Sequence, residues 1–251
     1  MFLTFVLRLM KKIRTAIDHF FDRYFPRGSK VKTIVLKSFL RDREKRFFYL
    51  IAPEDSVRTN SEPGYLYLEG WWAAWTADWF KDSDGNYTPW LTYPALAFLK
   101  GRIQPTWSVL EYGGGSSTLF WASRTAKVTT IEHNKAWLAQ LKAIIPNHVT
   151  LIHQPLNPLP GYLQAAPSDA RFDIIVIDGR ERVACCQVAA DYLQPAGIII
   201  LDDSQREKYQ PGILFLINQG FRELPFWGLR HQATQDTCTS LFYRTVNCLG
   251  I

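Results

Sequence analysis

Hydrophobic and polar positions follow two different patterns along this chain, and the pattern changes near residue 107. After that point, short apolar runs alternate with amphipathic stretches of helical spacing. The apolar runs predict strands over residues 108–112, 127–132, 149–153, 172–178, 197–202 and 240–243. The stretches between them predict helices over residues 117–124, 134–145 and 180–193, with Asn134 as a helix cap. This alternation is typical of an α/β protein whose doubly wound, mostly parallel sheet is covered by helices on both faces.

The N-terminal part of the chain shows a helical stripe instead. Apolar residues recur in steps of three and four from Phe2 to Tyr24, and Pro26 and Gly28 follow them. This spacing predicts one amphipathic helix that ends at the proline. Basic residues lie off the apolar stripe, so three roles stay open. The helix could dock on its own domain, bind RNA, or make peripheral contact with an anionic membrane surface through residues 1–25.

An aromatic cluster precedes the alternating region. It consists of Trp71, Trp72, Trp75, Trp79 and Phe80. Large flat side chains of this kind can pack within a cap or form a wall over a substrate, and the sequence leaves both open. Residues 82–86 predict a plain turn. They do not fit a calcium loop, because the glycine stands at the fourth position and no glutamate closes the loop. We therefore predict an N-terminal helical and aromatic cap over residues 1–100 and a second domain over residues 101–251.

Charge is distributed unevenly between these two parts. The chain has a formal net charge of +6, yet residues 1–50 alone contain 13 Lys or Arg and only 4 Asp or Glu. The other 201 residues contain 16 basic and 19 acidic side chains, so they are slightly acidic. The predicted second domain therefore gives no strong nucleic-acid signal, and we expect a small-molecule substrate.

The cysteines favour a reducing compartment. Cys185, Cys186, Cys238 and Cys248 show no C-x-x-C spacing, and the first two are adjacent in an apolar helical stretch. Such thiols are usually buried structural groups. No apolar run is long enough to predict a transmembrane helix. We expect a cytoplasmic protein that is either free or peripheral to a membrane.

A glycine-rich turn follows the first predicted strand. Residues 109–118 read Val-Leu-Glu-Tyr-Gly-Gly-Gly-Ser-Ser-Thr, which places Glu111 at the end of a buried strand and three glycines directly after it. Glycine there permits unusual dihedrals and close approach of a ligand. A dinucleotide fingerprint would need a glycine where Thr118 stands, and the Glu111 carboxylate would repel a pyrophosphate.

A second acidic residue ends the next strand. Glu132 follows Glu111 by 21 positions and stands where an acid can bind two ribose hydroxyls. Two carboxylates at neighbouring strand ends suit a positively charged nucleoside. S-adenosylmethionine is such a molecule, because it carries an ammonium and a sulfonium and no phosphate.

Residues 109–203 resemble class I S-adenosylmethionine-dependent methyltransferases, which have a Rossmann-like fold. The segment from Glu111 to Ser117 is similar to the Glu-x-Gly-x-Gly-x-Gly motif of that family, with Ser117 in place of the last glycine. The resemblance implies that the cofactor is bound by the residues of the turn and of the second strand end, namely Glu111, Gly113, Gly114, Gly115, Ser116, Ser117, Glu132 and His133. It also implies that His153 or Gln154 contacts adenine.

Acidic residues also end the fourth and fifth predicted strands. Asp178 is expected beside the transferred methyl group, where it would contact the cofactor and orient or deprotonate the acceptor. The order of Asp178, Asp202 and Asp203 is similar to the metal-binding acids of catechol-type O-methyltransferases, which implies a magnesium ion. The alternative is that Asp202 or Asp203 caps the next helix. We include Asp178, Arg180, Asp202 and Asp203 as candidate catalytic residues.

Basic residues follow both acidic strand ends. Arg180 and Arg182 come after Asp178, and Arg206 and Lys208 come after Asp203. An anionic substrate is one interpretation, and pairing with the nearby aspartates is the other.

The sequence therefore predicts methylation of an oxygen or nitrogen of a small-molecule acceptor. A catalytically inactive scaffold of the same fold, tethered to a membrane or partner by the basic N-terminal helix, is the first alternative. An NAD-dependent oxidoreductase is the second.

Overall fold

The computed structural model describes residues 64–71, 73–75 and 77–251 of the chain. The predicted amphipathic helix of residues 1–25 and its membrane contact lie outside these residues. Contacts divide the chain into Met1–Leu68 and Glu69–Ile251. Residues 69–100, which the sequence analysis assigned to the cap, therefore belong to the same unit as the sheet. Within the described residues, no helix has the length and apolar character needed to cross a membrane.

Seven strands form a single sheet in the second unit. They are β1 (Ser108–Tyr112), β2 (Lys127–Glu132), β3 (Val149–His153), β4 (Phe172–Ile177), β5 (Leu193–Leu201), β6 (Arg222–Gly228) and β7 (Thr237–Tyr243). Their order across the sheet is β3-β2-β1-β4-β5-β7-β6. The first five strands pair in parallel, whereas β7 pairs antiparallel with both β5 and β6. The predicted mostly parallel sheet is confirmed, and β6 is an addition that the sequence analysis did not predict.

Two of the described helices precede β1, and the other five connect strands. The helices are α1 (Tyr65–Leu68), α2 (Tyr93–Lys100), α3 (Ser116–Ala122), α4 (Lys135–Lys142), α5 (Leu159–Leu163), α6 (Arg182–Ala189) and α7 (Gln210–Asn218), with short 3-10 turns at Ala73–Trp75, Ala190–Tyr192 and Glu207–Tyr209. The predicted cap of α4 is confirmed, because the Asn134 side chain accepts hydrogen bonds from the backbone N–H groups of Ala136 and Trp137. The sequence analysis missed α5 and α7.

Alternate residues of each central strand face opposite sides of the sheet. In β4, Ile175 and Ile177 pack with α6 and α7 on one side, and Ile174 and Val176 pack with α2 and α3 on the other. All four are buried, and each fully buried side chain of this size contributes roughly 1.5–3 kcal/mol to folding. This packing buries Cys185 and Cys186 on α6, Cys238 is buried on β7, and all four cysteines are free thiols.

The order of the strands reverses between β1 and β4. The β1 connection runs outward to β2, and the β4 connection runs in the opposite direction to β5. In open α/β sheets, the carboxyl ends of the strands leave a crevice at this point. The loops after β1, β2, β4 and β5 meet there.

Candidate active site

A cavity of about 450 Å³ lies at this crevice. Its size is within the usual range of small-molecule sites, which is about 300–1,000 Å³. Almost every residue that the sequence analysis proposed for the site lines it. These are Gly113, Gly114, Gly115, Ser116, Ser117, Glu132, His133, Asp178, Arg180, Asp202 and Asp203. Glu111, His153 and Gln154 are the proposed residues that do not line it.

The glycine turn is shaped for close approach to a ligand. Gly113 has a φ of +89°, and an added Cβ would lie 2.9 Å from the backbone N and Cα of Gly179. A side chain there would clash with a backbone segment that cannot move aside cheaply. At Gly115 an added Cβ would have no neighbour nearer than 3.9 Å, at the ring of Trp137. The turn therefore presents an open backbone surface to the cavity.

Glu111 lies beneath this turn rather than in the cavity. It is fully buried and accepts hydrogen bonds from the hydroxyls of Ser117, Thr118 and Thr130. Burial raises the pKa of Glu111 to about 7, although the hydrogen bonds from the three hydroxyls lower it. The expectation that Glu111 contacts the cofactor is therefore corrected. Its carboxyl group ties the start of α3 and strand β2 to β1, and so it supports the turn from below.

Glu132 does line the cavity. Its side chain accepts hydrogen bonds from the backbone N–H of Gly114 at 3.1 Å and of Asn134 at 2.7 Å. These contacts fix the carboxylate at the end of β2, beside the glycine turn. A carboxylate has about four lone-pair sites, so it can still accept hydrogen bonds from a ligand.

Aromatic side chains close the cavity next to Glu132. The Trp137 indole N–H donates to the carbonyl of Gly114 at 2.7 Å, and its ring stacks on Trp79 with centroids 4.9 Å apart. The backbone N–H of Phe80 donates to the Ser116 hydroxyl at 2.8 Å. Trp79 and Phe80 of the aromatic cluster therefore lie next to the glycine turn, and Phe80 and Trp90 form part of the cavity wall.

Arg182 organises the opposite end of the cavity. Its guanidinium group lies 2.7 Å from the Asp178 carboxylate and also donates to the backbone carbonyls of Gly179 and Asp202. Burial raises the pKa of Asp178 to about 6, although the charge of Arg182 lowers it. Burial also raises the pKa of Asp202, whose carboxylate accepts a hydrogen bond from Thr239 at 2.8 Å.

Asp203 pairs with several arginines. It lies 2.6 Å from Arg206, 3.6 Å from Arg230 and 3.7 Å from Arg182. Its backbone has a left-handed φ of 54°, which is uncommon for a residue other than glycine. Among the residues that the structure describes, no group of three His, Cys, Asp or Glu side chains could hold a metal ion. The magnesium expectation therefore has no support, because guanidinium groups stand between the carboxylates.

Several cavity residues were not foreseen from the sequence, among them Trp137, Tyr209 and Arg230. Trp137 lies on α4, Tyr209 lies in the 3-10 turn after β5, and Arg230 lies in the loop between β6 and β7. None of them belongs to a recognisable motif. Arg230 in particular reaches the cavity only because the antiparallel pair β6–β7 folds back beside β5, which no local pattern indicates.

Residues 110–204 match a protein-family model described as a methyltransferase domain. This segment contains the glycine turn, Glu132 and the acidic ends of β4 and β5. A search of curated proteins finds no match to the chain.

Solved structures with a similar fold have low sequence identity to this chain. The precorrin-6y C5,15-methyltransferase of Geobacter metallireducens GS-15 is 16% identical with a TM-score of 0.47, and the alignment covers 60% of this chain and 87% of that one. Fibrillarin of Aeropyrum pernix, solved with natively bound S-adenosyl-L-methionine, is 14% identical with a TM-score of 0.46, covering 59% and 73%. An rRNA methylase of Streptococcus thermophilus is 15% identical with a TM-score of 0.44, covering 60% and 95%.

Proposed function

We propose that the chain is a methyltransferase of the class I S-adenosylmethionine-dependent superfamily and that it methylates an oxygen or nitrogen atom of a small-molecule acceptor. The observation that carries this proposal is the cavity itself. It joins the glycine turn, the Glu132 carboxylate and the Asp178 carboxylate at the point where the strand order reverses.

The residues of the cavity fit the cofactor. Glu132 is held in place by two backbone N–H groups, which leaves lone pairs to accept hydrogen bonds from the ribose hydroxyls. His133 and Trp137 line the same end, where we place the adenosine. Gly113, Gly114 and Gly115 line the cavity where we place the methionine part, and Ser116 and Ser117 line it beside them. When bound, the cofactor supplies an electrophilic methyl group on its sulfonium.

We assign the base to Asp178. Arg182 engages one oxygen of its carboxylate at 2.7 Å, which leaves the other for the O–H or N–H proton of an acceptor. The raised pKa of Asp178, about 6, suits a group that must be ionised near neutral pH and still accept a proton. Asp202 and Asp203 hold Arg182 and Arg206 in position, and Arg180 lines the cavity two residues after Asp178.

A titration with S-adenosylhomocysteine tests this function against its alternatives. We expect the full chain to bind this demethylated product with a dissociation constant of roughly 1–100 μM, corresponding to about 5–8 kcal/mol. Isothermal titration calorimetry measures it, with NADH as the parallel ligand. Binding of NADH and not of S-adenosylhomocysteine would support the nicotinamide alternative. Binding of neither at millimolar concentration would support the inactive scaffold.

A further inference from the structure

The acceptor end of the cavity has more cationic than anionic side chains. Arg182, Arg206 and Arg230 lie within 4 Å of Asp203, and Lys208 lies with Arg182 at the Tyr209 ring, against the carboxylates of Asp178, Asp202 and Asp203. Arg180 also lines the cavity. The other two acidic residues of the cavity, Asp78 and Glu132, lie near the glycine turn, because Trp79 beside Asp78 stacks on Trp137. Three of the cationic side chains therefore lie together at Asp203.

Arg182 does not account for this surplus. Its donors are used by the Asp178 carboxylate and by the carbonyls of Gly179 and Asp202. Arg206 and Arg230 have one carboxylate in common, because Asp203 lies within 4 Å of both. A guanidinium group has five N–H donors, so one shared carboxylate leaves most of them without an anionic partner.

Arg230 has N–H donors that lack an acceptor. Its Nη2 lies 3.6 Å from the Asp203 carboxylate, which is too long for a hydrogen bond. Its Nη1 donates to the carbonyl of His231 at 3.3 Å. Its Nε is buried and has no hydrogen-bond partner among the described residues. Leaving a buried donor on a charged group unpaired is costly, which points to a ligand that completes it. Arg180, which is exposed at the cavity, has no ion pair or side-chain hydrogen bond in the described part of the chain.

The guanidinium group of Arg230 is also held in position. It lies over the Trp90 ring at 4.6 Å, and the Trp90 indole donates to the carbonyl of His231 at 2.8 Å. The His231 ring is buried, contacts Thr88 at 2.6 Å and stacks on Phe80. Burial lowers the pKa of His231 to about 4, so this support is neutral near physiological pH. A fixed guanidinium binds an anion with a smaller loss of side-chain entropy than a mobile one.

We propose that the acceptor carries an oxyanion, a carboxylate or a phosphate, which Arg230 binds together with Arg180 and Arg206. This inference rests on the proposed function. The oxyanion would complete the donors that Asp203 leaves free and would hold the acceptor near Asp178. Arg206 and Arg230 both lie beyond residues 110–204, the segment that matches the methyltransferase domain. This position favours binding of the acceptor over binding of the cofactor's own carboxylate.

Anion binding by the cofactor-loaded protein tests the proposal. The protein is saturated with S-adenosylhomocysteine and titrated with inorganic phosphate and, separately, with malonate at constant ionic strength. At least one anion should bind, and Arg230→Gln should weaken that binding by about tenfold or more, the usual effect of losing a charge-assisted hydrogen bond. The anion that binds more tightly identifies the source of the oxyanion. Arg222→Gln is the matched control, because Arg222 is exposed on β6 and does not line the cavity.

The affinity for S-adenosylhomocysteine, measured on the same proteins, separates the outcomes. In Arg230→Gln it should stay within about twofold of the unchanged protein. A tenfold loss there, with unchanged anion binding, would assign Arg230 to the cofactor's carboxylate and overturn the proposal. Failure of both anions to bind would also overturn it. Should Arg230→Gln not fold, Arg180→Gln removes a neighbouring exposed cation and should weaken anion binding in the same direction. If S-adenosylhomocysteine does not bind the unchanged protein, the proposed function fails instead.

Discussion

Replacing Glu132 with alanine is expected to weaken the binding of S-adenosylhomocysteine by about ten- to a hundredfold. The substitution removes charge-assisted hydrogen bonds to the ribose hydroxyls, which contribute roughly 1.5–3 kcal/mol. It also leaves the backbone N–H groups of Gly114 and Asn134 without the acceptor that the carboxylate provides. Calorimetric titration of the variant measures the loss.

The matched control for this change is Glu223→Ala. Glu223 is partly buried and accepts a hydrogen bond from Ser240 at 2.7 Å, and it does not line the cavity. The Glu223→Ala variant should bind S-adenosylhomocysteine with the affinity of the unchanged protein. Equal affinity in Glu132→Ala and Glu223→Ala would remove Glu132 from the cofactor site.

Replacing Glu111 with alanine is expected to lower the free energy of unfolding by about 3–5 kcal/mol. The change leaves three buried hydroxyls without their acceptor and creates a cavity below the glycine turn. A loss of this size lowers the midpoint of thermal unfolding by roughly 10 °C. Differential scanning calorimetry measures the midpoint. The exposed Glu207→Ala should unfold like the unchanged protein, and an equally small effect at Glu111 would contradict its structural role.

The conservative change Glu111→Gln separates charge from packing. The pKa of Glu111 is about 7 in the folded protein and 4.5 in an ordinary glutamate, so the folded state binds more protons between these pH values. The free energy of unfolding therefore falls as the pH rises from about 4.5 to about 7, by up to roughly 3 kcal/mol from this group. Glu111→Gln should flatten this part of the profile, as measured by urea unfolding at pH 5 and pH 8. An unchanged difference between the two pH values would show that Glu111 is ionised throughout.

The central strands could be predicted because their signal is local. Strands buried on both faces are continuous apolar runs, and the acids and glycines at their ends mark where the chain turns. The predicted bounds of β1, β2 and β3 agree with the structure at both ends. Parallel strands share one edge, so Glu132, Asp178 and Asp202 could be placed at a common site from the sequence.

The other elements were hidden by local signals that point the wrong way. Strand β6 contains Pro225, which disfavours a strand except at an edge of a sheet, and β6 is an edge strand. Helix α7 begins Gln-Pro-Gly and continues as an apolar run without helical periodicity. Proline is tolerated in the first turn of a helix, where its missing N–H would have no partner.

The role of Glu111 could not be predicted, because a strand end does not reveal on which side of the turn a side chain lies. Three hydroxyl residues within reach of Glu111 offered a hint. Ser117 and Thr118 come from α3 and Thr130 from β2, and together they bind the carboxyl group inside the protein. Of the two glutamates expected to share one cleft, only Glu132 lines the cavity, together with Asp178.

A crystal structure of the full chain with S-adenosylhomocysteine tests the central claim most directly. We expect the ligand in the cavity between Gly113–Gly115 and Asp178, with both ribose hydroxyls within about 3 Å of the Glu132 carboxylate. Its sulfur should face Asp178. Density for the ligand outside this cavity, or ribose hydroxyls with no contact to Glu132, would contradict the account.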